Sequence, residues 1–356
     1  MKGILPEPPS EPLQELITRT LPRGEPWGYV FAQRLLEAKV LGEKVLREGL
    51  SPGLHELLQG YLAKLRDQLM RLRREHPLSD CGERQPTPAE QASLSALLSG
   101  STHELENLFK TYGYSPFAAH SAFLFESQLV PIAHPDPVSF AELVGFERQI
   151  TTLRNNVERF LSGKPSLATL LYGARGCGKS SVVKALRTAY QGEGLKLVEV
   201  MPDGLDHLSS LMESLRFLPQ KFVLYLDDLT VDTGNRRFHK LKALLEGAVF
   251  ARPDNVLVVA TSNRRNLVQE SWSDRPEPGA GDPTAWDTVQ DKLALADRFG
   301  LVLTFPPFDQ QLYLEVVTRL LGRPLDETAR EHALRFALQG RGFSGRTARQ
   351  FANWSS

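Results

Sequence analysis

The chain has 356 residues, 41% of them apolar, and its 42 basic side chains balance 42 acidic ones. That length accommodates two or three domains, and the neutral balance excludes a global field drawing the molecule to nucleic acid or membrane, leaving only local patches. Two cysteines, Cys81 and Cys177, exclude a disulfide framework, and the eight histidines have no metal-ligand spacing.

The opening stretch, MKGILPEPPSEPL, has no apolar run long enough for a signal peptide, and no later segment approaches a membrane span. A soluble, cytoplasmic protein in a reducing compartment, with no membrane partner, is the expectation. To about residue 130 the pattern is helical. One helix is predicted over 29–47. A second follows the start signal Ser51-Pro52, with Leu54, Leu57, Leu58, Tyr61, Leu65, Leu69 and Leu72 in one stripe. Shorter helices are predicted over 104–112 and 116–128. Arg71, Arg73 and Arg74 fit a solvated helix face better than a nucleic-acid site, and 79–88 is a polar connection.

His134-Pro135-Asp136-Pro137 marks a boundary, after which strands alternate with helices, the sign of a parallel sheet with crossover helices. Strands are predicted over 168–172, 195–200, 221–226, 255–261 and 301–305. The first runs into Gly173-Ala174-Arg175-Gly176-Cys177-Gly178-Lys179-Ser180-Ser181, the P-loop spacing in its strand–turn–helix setting. Gly173, Gly176 and Gly178 let the backbone turn and aim its N–H groups at phosphates, while the next helix presents its N-terminus to the anion. Lys179 suits the β/γ-phosphate oxygens, and the Ser180 hydroxyl suits Mg2+. An ordinary glycine-rich turn is the plainer alternative, which the Lys-Ser ending weakens. A nucleoside triphosphate is the expected ligand.

The apolar strand Phe222-Val223-Leu224-Tyr225-Leu226 ends in Asp227-Asp228, the Walker B arrangement. Asp227 is read as the metal carboxylate and Asp228 as the residue that polarises water. An Asp-rich turn gives the same letters without the chemistry. A helix over 237–249 aligns Phe238, Leu241, Leu244, Leu245 and Val249. The strand Val256-Leu257-Val258-Val259-Ala260 ends in Thr261-Ser262-Asn263, where Asn263 either orients water or simply terminates the strand. Arg264 and Arg265 line a pore or cap that strand end. A Pro/Gly/Asp-rich loop covers 269–287 and is expected to be mobile, and two further helices are predicted over 310–321 and 326–339.

This order of motifs, with Ala296-Asp297-Arg298-Phe299-Gly300 and Ser344-Gly345-Arg346, resembles the AAA+ ATPases. More narrowly, GARGCGKSSVVKAL, LYLDDL, ATSNRRNLV, KLALADRFGL and SGRTARQF are similar to a bacterial AAA+ family known as domain of unknown function 815. The resemblance spans about 138–351. It implies an α/β P-loop core, an N-terminal helical domain and a small C-terminal helical lid, divided as 1–130, 138–306 and 307–356. It implies that the segment Phe140 to Gly145 packs on adenine, with Val144 and Gly145 at the ligand. It further implies that Arg298 is an arginine finger reaching a neighbouring subunit and that Arg346 is the lid's sensor arginine. From the residues alone, a helix-end salt bridge for Arg298 and a surface charge for Arg346 are the plainer alternatives.

Two departures stand out: Cys177 replaces the usual Thr at a position that contributes backbone, and the short stretch after Phe351 implies a shorter lid than is typical. Asp228 also stands where the superfamily usually has Glu, which implies slower turnover. The expected function is Mg2+-dependent ATP hydrolysis in a homo-oligomer, coupled to remodelling or loading of a protein or nucleic-acid partner. A nucleotide-gated scaffold with little hydrolysis and a P-loop small-molecule kinase are the alternatives.

Overall fold

A computed structural model describes residues 39–75, 88–229, 240–242, 245, 252–263, 297–340 and 342–355. The expectations for Arg264, Arg265, Ala296, the loop 269–287, most of the helix 237–249 and most of the connection 79–88 lie outside the described residues. The chain forms two compact units. One holds the described residues up to His120 together with Phe217–Gln220; the other holds Ser121–Arg216 and the described residues from Lys221 onward.

The first unit is helical: α1 (Lys39–Glu48), α2 (Pro52–Glu75), α3 (Pro88–Ser99) and α4 (Thr102–Tyr112). The stripe read from sequence is its core, for Leu54, Leu58, Tyr61, Leu65 and Leu69 are buried with Leu41, Leu97, Leu105 and Phe109. Pro52 opens α2, where its missing N–H is not needed. Ser101 caps α4 by accepting from the Glu104 amide at 3.3 Å.

The second unit is built on a seven-stranded sheet ordered β2-β1-β4-β5-β6-β3-β7. Its strands are β1 (Ala122–Phe125), β2 (Leu129–Pro131), β3 (Thr169–Gly173), β4 (Leu195–Val200), β5 (Lys221–Leu226), β6 (Val256–Ser262) and β7 (Leu301–Phe305). Among the described residues only β1 and β2 pair antiparallel; every other ladder is parallel. β6 is buried along its whole length and β5 nearly so, as expected of strands covered on both faces. The edge strand β7 alternates buried and exposed positions. Around the sheet lie α5 (Glu147–Leu161), α6 (Lys179–Tyr190) and α7 (Leu208–Leu215). Three helices end the chain: α8 (Gln310–Leu321), α9 (Glu327–Gln339) and α10 (Gly345–Ser355). Tyr313 ties α8 to α9 by donating to the Ala333 carbonyl at 3.1 Å, and Phe336 packs edge-on against Phe351.

The five predicted strands are present within one residue of their expected ends. The helix expected over 116–128 is not: Ala122-Phe123-Leu124-Phe125 is β1, paired in register with β4 (Phe123 opposite Val198). The first unit accordingly ends at His120 rather than at residue 130, and the C-terminal helices cluster with the sheet in one unit.

Candidate functional site

Because β3, β5 and β6 are adjacent and parallel, their C-terminal ends deliver the P-loop, Asp227-Asp228 and Asn263 to the same sheet edge. Gly173 is required there by contact: a Cβ would stand 1.9 Å from the Phe305 carbonyl oxygen of β7. Gly176 and Gly178 have φ of 77° and 85°, left-handed conformations that glycine adopts without penalty. They turn the chain so that α6 begins at Lys179.

The buried Lys179 ammonium donates to the carbonyls of Gly173 and Ala174, both at 2.8 Å, and to Asn263 Oδ1 at 3.1 Å. Burial lowers its pKa, opposed by Cys177, Asp228 and Asp227 nearby. Asn263 uses its other end to donate to Asp228 Oδ1, so one amide bridges the P-loop cation and the second acid.

Asp227 Oδ1 accepts three hydrogen bonds: from Thr261 Oγ1 at 2.6 Å, Ser180 Oγ at 2.9 Å and the Asp228 amide at 3.1 Å. Burial alone would raise its pKa, but the surrounding hydroxyls of Thr261, Tyr225 and Ser180 with the Asp228 amide hold it below the usual carboxylate range. The turn after β5 is stitched to β6, with Leu229 N donating to Thr261 O at 2.7 Å and Ser262 Oγ to Leu229 O at 3.1 Å.

A cleft of about 600 Å³ opens over these groups. The P-loop from Arg175 to Ser181 forms one wall. Val144 and Gly145, with Leu143, Phe146 and Ile150, form an apolar end that Val316 and Leu320 of α8 complete. Gly145 packs so tightly on α8 that a Cβ would lie 2.7 Å from Leu312 Cδ1. The C-terminal helices touch the P-loop directly: the Gly345 amide donates to Gly176 O at 2.9 Å, which brings Arg346 and Arg349 of α10 into the cleft. Cys177 is buried there, its thiol donating to Pro306 O at 3.2 Å and its pKa raised by that burial.

The cleft thus gathers Val144, Gly145, the P-loop, Asp227, Asp228, Asn263 and Arg346. Gly173 and Ala174 take part through their carbonyls, behind the lining. Arg298 is not in the cleft. It precedes β7, whose Leu301 pairs with Thr169 and whose Phe305 pairs with Gly173, so it lies at the opposite sheet edge, roughly 15 Å of strand away. Sequence reading passed over Thr261, Tyr225, Val316, Leu320 and Arg349. Arg349 was within reach, since it follows Arg346 by one helical turn and shares its face.

A triphosphate with Mg2+ fits this donor set. The turn supplies backbone amides and a cation, and its volume suits a small-molecule ligand. Among the described residues no three His, Cys, Asp or Glu side chains converge as a metal cage. One carboxylate and one hydroxyl, with the remaining ligands from phosphate and water, is a usual Mg2+ arrangement.

The family model described as "Protein of unknown function (DUF815)" matches residues 118–356. The chain is 26% identical over 232 residues to the ATPase family gene 2 protein of Schizosaccharomyces pombe, an alignment covering 56% of this chain and 28% of that protein. The chain therefore spans less than a third of that relative. Among solved structures it is similar to the RuvB Holliday junction branch migration motor of Thermotoga maritima, with TM-score 0.41, 16% identity and 61% and 63% of the two chains covered. It is also similar to the ORC2 protein of Aeropyrum pernix, solved in ADPNP and ADP complexes, with TM-score 0.34, 16% identity and 59% and 67% covered.

Proposed function

The chain belongs to the DUF815 family, and on that premise we propose that it is an AAA+ ATPase that binds ATP with Mg2+, hydrolyses it as a homo-oligomer, and uses the cycle to remodel or load a protein or nucleic-acid partner. The observation carrying this reading is the Asn263 amide, hydrogen-bonded to Lys179 on one side and Asp228 on the other. That bridge ties the group expected at the β/γ-phosphates to the group expected to handle water.

In this reading Val144 and Gly145 contact the adenine, and the amides of the P-loop from Ala174 to Ser181 hold the phosphates. Lys179 exchanges a carbonyl or Asn263 bond for phosphate oxygen. Ser180 and Asp227 hold Mg2+, which when bound neutralises charge on the β/γ oxygens. Asp228, held by Asn263, orients the attacking water and accepts its proton. Arg346 reaches the γ-phosphate from the C-terminal helices, and Arg298 acts in the site of the next subunit.

The kinase alternative gives Asn263 and Arg346 no task. The scaffold alternative draws support from Asp228, one methylene shorter than the Glu usual in AAA+ sites, and predicts tight binding with negligible turnover. Removing the ammonium tests the assignment: Lys179→Ala should weaken ATP binding at least tenfold, about 1.4 kcal/mol, in a fluorescence titration. Unchanged affinity contradicts the P-loop assignment, and phosphate released without any added acceptor separates hydrolysis from kinase activity.

A further inference from the structure

Gly345 is the first helical residue of α10, and its backbone is not left-handed, so no turn requires glycine there. Glycine weakens a helix relative to alanine, and its presence calls for a contact that a side chain would spoil. That contact is with the P-loop. A Cβ on Gly345 would stand 3.1 Å from the Gly176 carbonyl oxygen, the same atom to which the Gly345 amide donates at 2.9 Å. The approach is bare from the other side as well, since a Cβ on Gly176 would lie 2.8 Å from Ser344 Cβ. Ser344 is itself fixed: it is buried, and its hydroxyl caps α10 by accepting from the Thr347 amide at 3.1 Å.

The residue after Gly176 is anchored too, by the Cys177 thiol donating to Pro306 O at 3.2 Å. The peptide between Gly176 and Cys177 is trans, so its C=O and N–H point in opposite directions. With Gly176 O held on α10 and the Cys177 side chain held on Pro306, the plane of that peptide is set, and with it the direction of the Cys177 N–H. We propose that Gly345 is a positioning residue of the phosphate site: through Gly176 O it aims the Cys177 amide, one of the loop donors assigned to the phosphates above. The seating of α10 then sets the affinity of the P-loop for a phosphate chain. The C-terminal helices thereby hold the ligand in two ways, by the charge of Arg346 and through the backbone of the loop.

This inference rests on the nucleotide reading above and is tested in the full chain by titrating a fluorescent ATP analogue. Gly345→Pro removes the donor at the one helical position that tolerates proline, and its ring takes the place of the N–H. It should weaken binding roughly tenfold. Gly345→Ala keeps the donor but crowds Gly176 O, and should weaken binding by a smaller factor. Its unfolding temperature should be unchanged or higher, because alanine favours the helix. Both losses should persist in an Arg346→Ala background. Unchanged affinity in both variants overturns the proposal. So does a loss that vanishes once Arg346 is removed, for Gly345 would then act only by carrying that arginine. A wild-type chain that fails to bind the analogue sinks the nucleotide reading itself, and this inference with it.

Discussion

Asp228 has φ of 45°, a left-handed backbone that Asp and Asn enter far more readily than longer side chains do. That conformation gives a physical reason for Asp at a position where the AAA+ resemblance implies Glu. The turn places the Asp228 amide on Thr261 Oγ1 at 2.9 Å and its carboxylate on Asn263, and a residue that resists φ > 0 would strain both. A second residue carries an electrostatic cost of the opposite kind. Lys196 of β4 is only 8% exposed, and burial pushes its pKa down to about 8 from the ordinary 10.5. The folded value lies below the unfolded one, so the penalty is full below pH 8 and fades as pH rises toward 10.5. Lys196→Met should therefore stabilise the fold at pH 7 by on the order of 2–3 kcal/mol, with roughly half that gain left at pH 9.5. Urea unfolding at the two pH values checks it, and a gain independent of pH would mean that packing alone is responsible.

At the scale of elements, legibility followed the locality of the signal. The P-loop, the strand ending in Asp227-Asp228 and the strand ending in Asn263 are each written in a dozen contiguous residues or fewer. Spacing therefore sufficed to place them at one sheet edge, where β3, β5 and β6 bring them together. The four apolar residues of β1 carry no such signal. A run that short suits helix or strand equally, and pairing with β4, more than seventy positions later, decides it. The C-terminal helices were visible by their periodicity. That α10 would press Gly345 and Ser344 against Gly176 was not, because that contact depends on a glycine lacking a Cβ on the facing loop. Tyr225 escaped notice for the same reason: within the sequence it is one more bulky residue of a buried strand, and only register sets it beside Asp227.

For the whole molecule, the separation of Arg298 from the cleft is the informative distance. An arginine at the far end of β7 lies away from the cleft of its own chain, and in the proposed homo-oligomer a head-to-tail assembly would bring that edge to the next copy. A guanidinium supplied in this way is worth on the order of a thousandfold in rate. Arg298→Ala should bind ATP normally and hydrolyse it poorly. Mixed with Lys179→Ala, which lacks its own site but keeps Arg298, it should recover part of the activity. No recovery, with a single-copy mass by light scattering in ATP, would contradict a shared site.

The central claim, that this cleft hydrolyses the nucleotide it binds, is tested most directly by comparing binding and turnover in Asp228→Asn. Asn tolerates the left-handed backbone and preserves the side-chain shape, so the substitution isolates the carboxylate charge. Equilibrium ATP binding should stay close to wild type while steady-state phosphate release falls by roughly a hundredfold or more. Phosphate release at the wild-type rate, with binding intact, would show that Asp228 does not activate the water and would contradict the account.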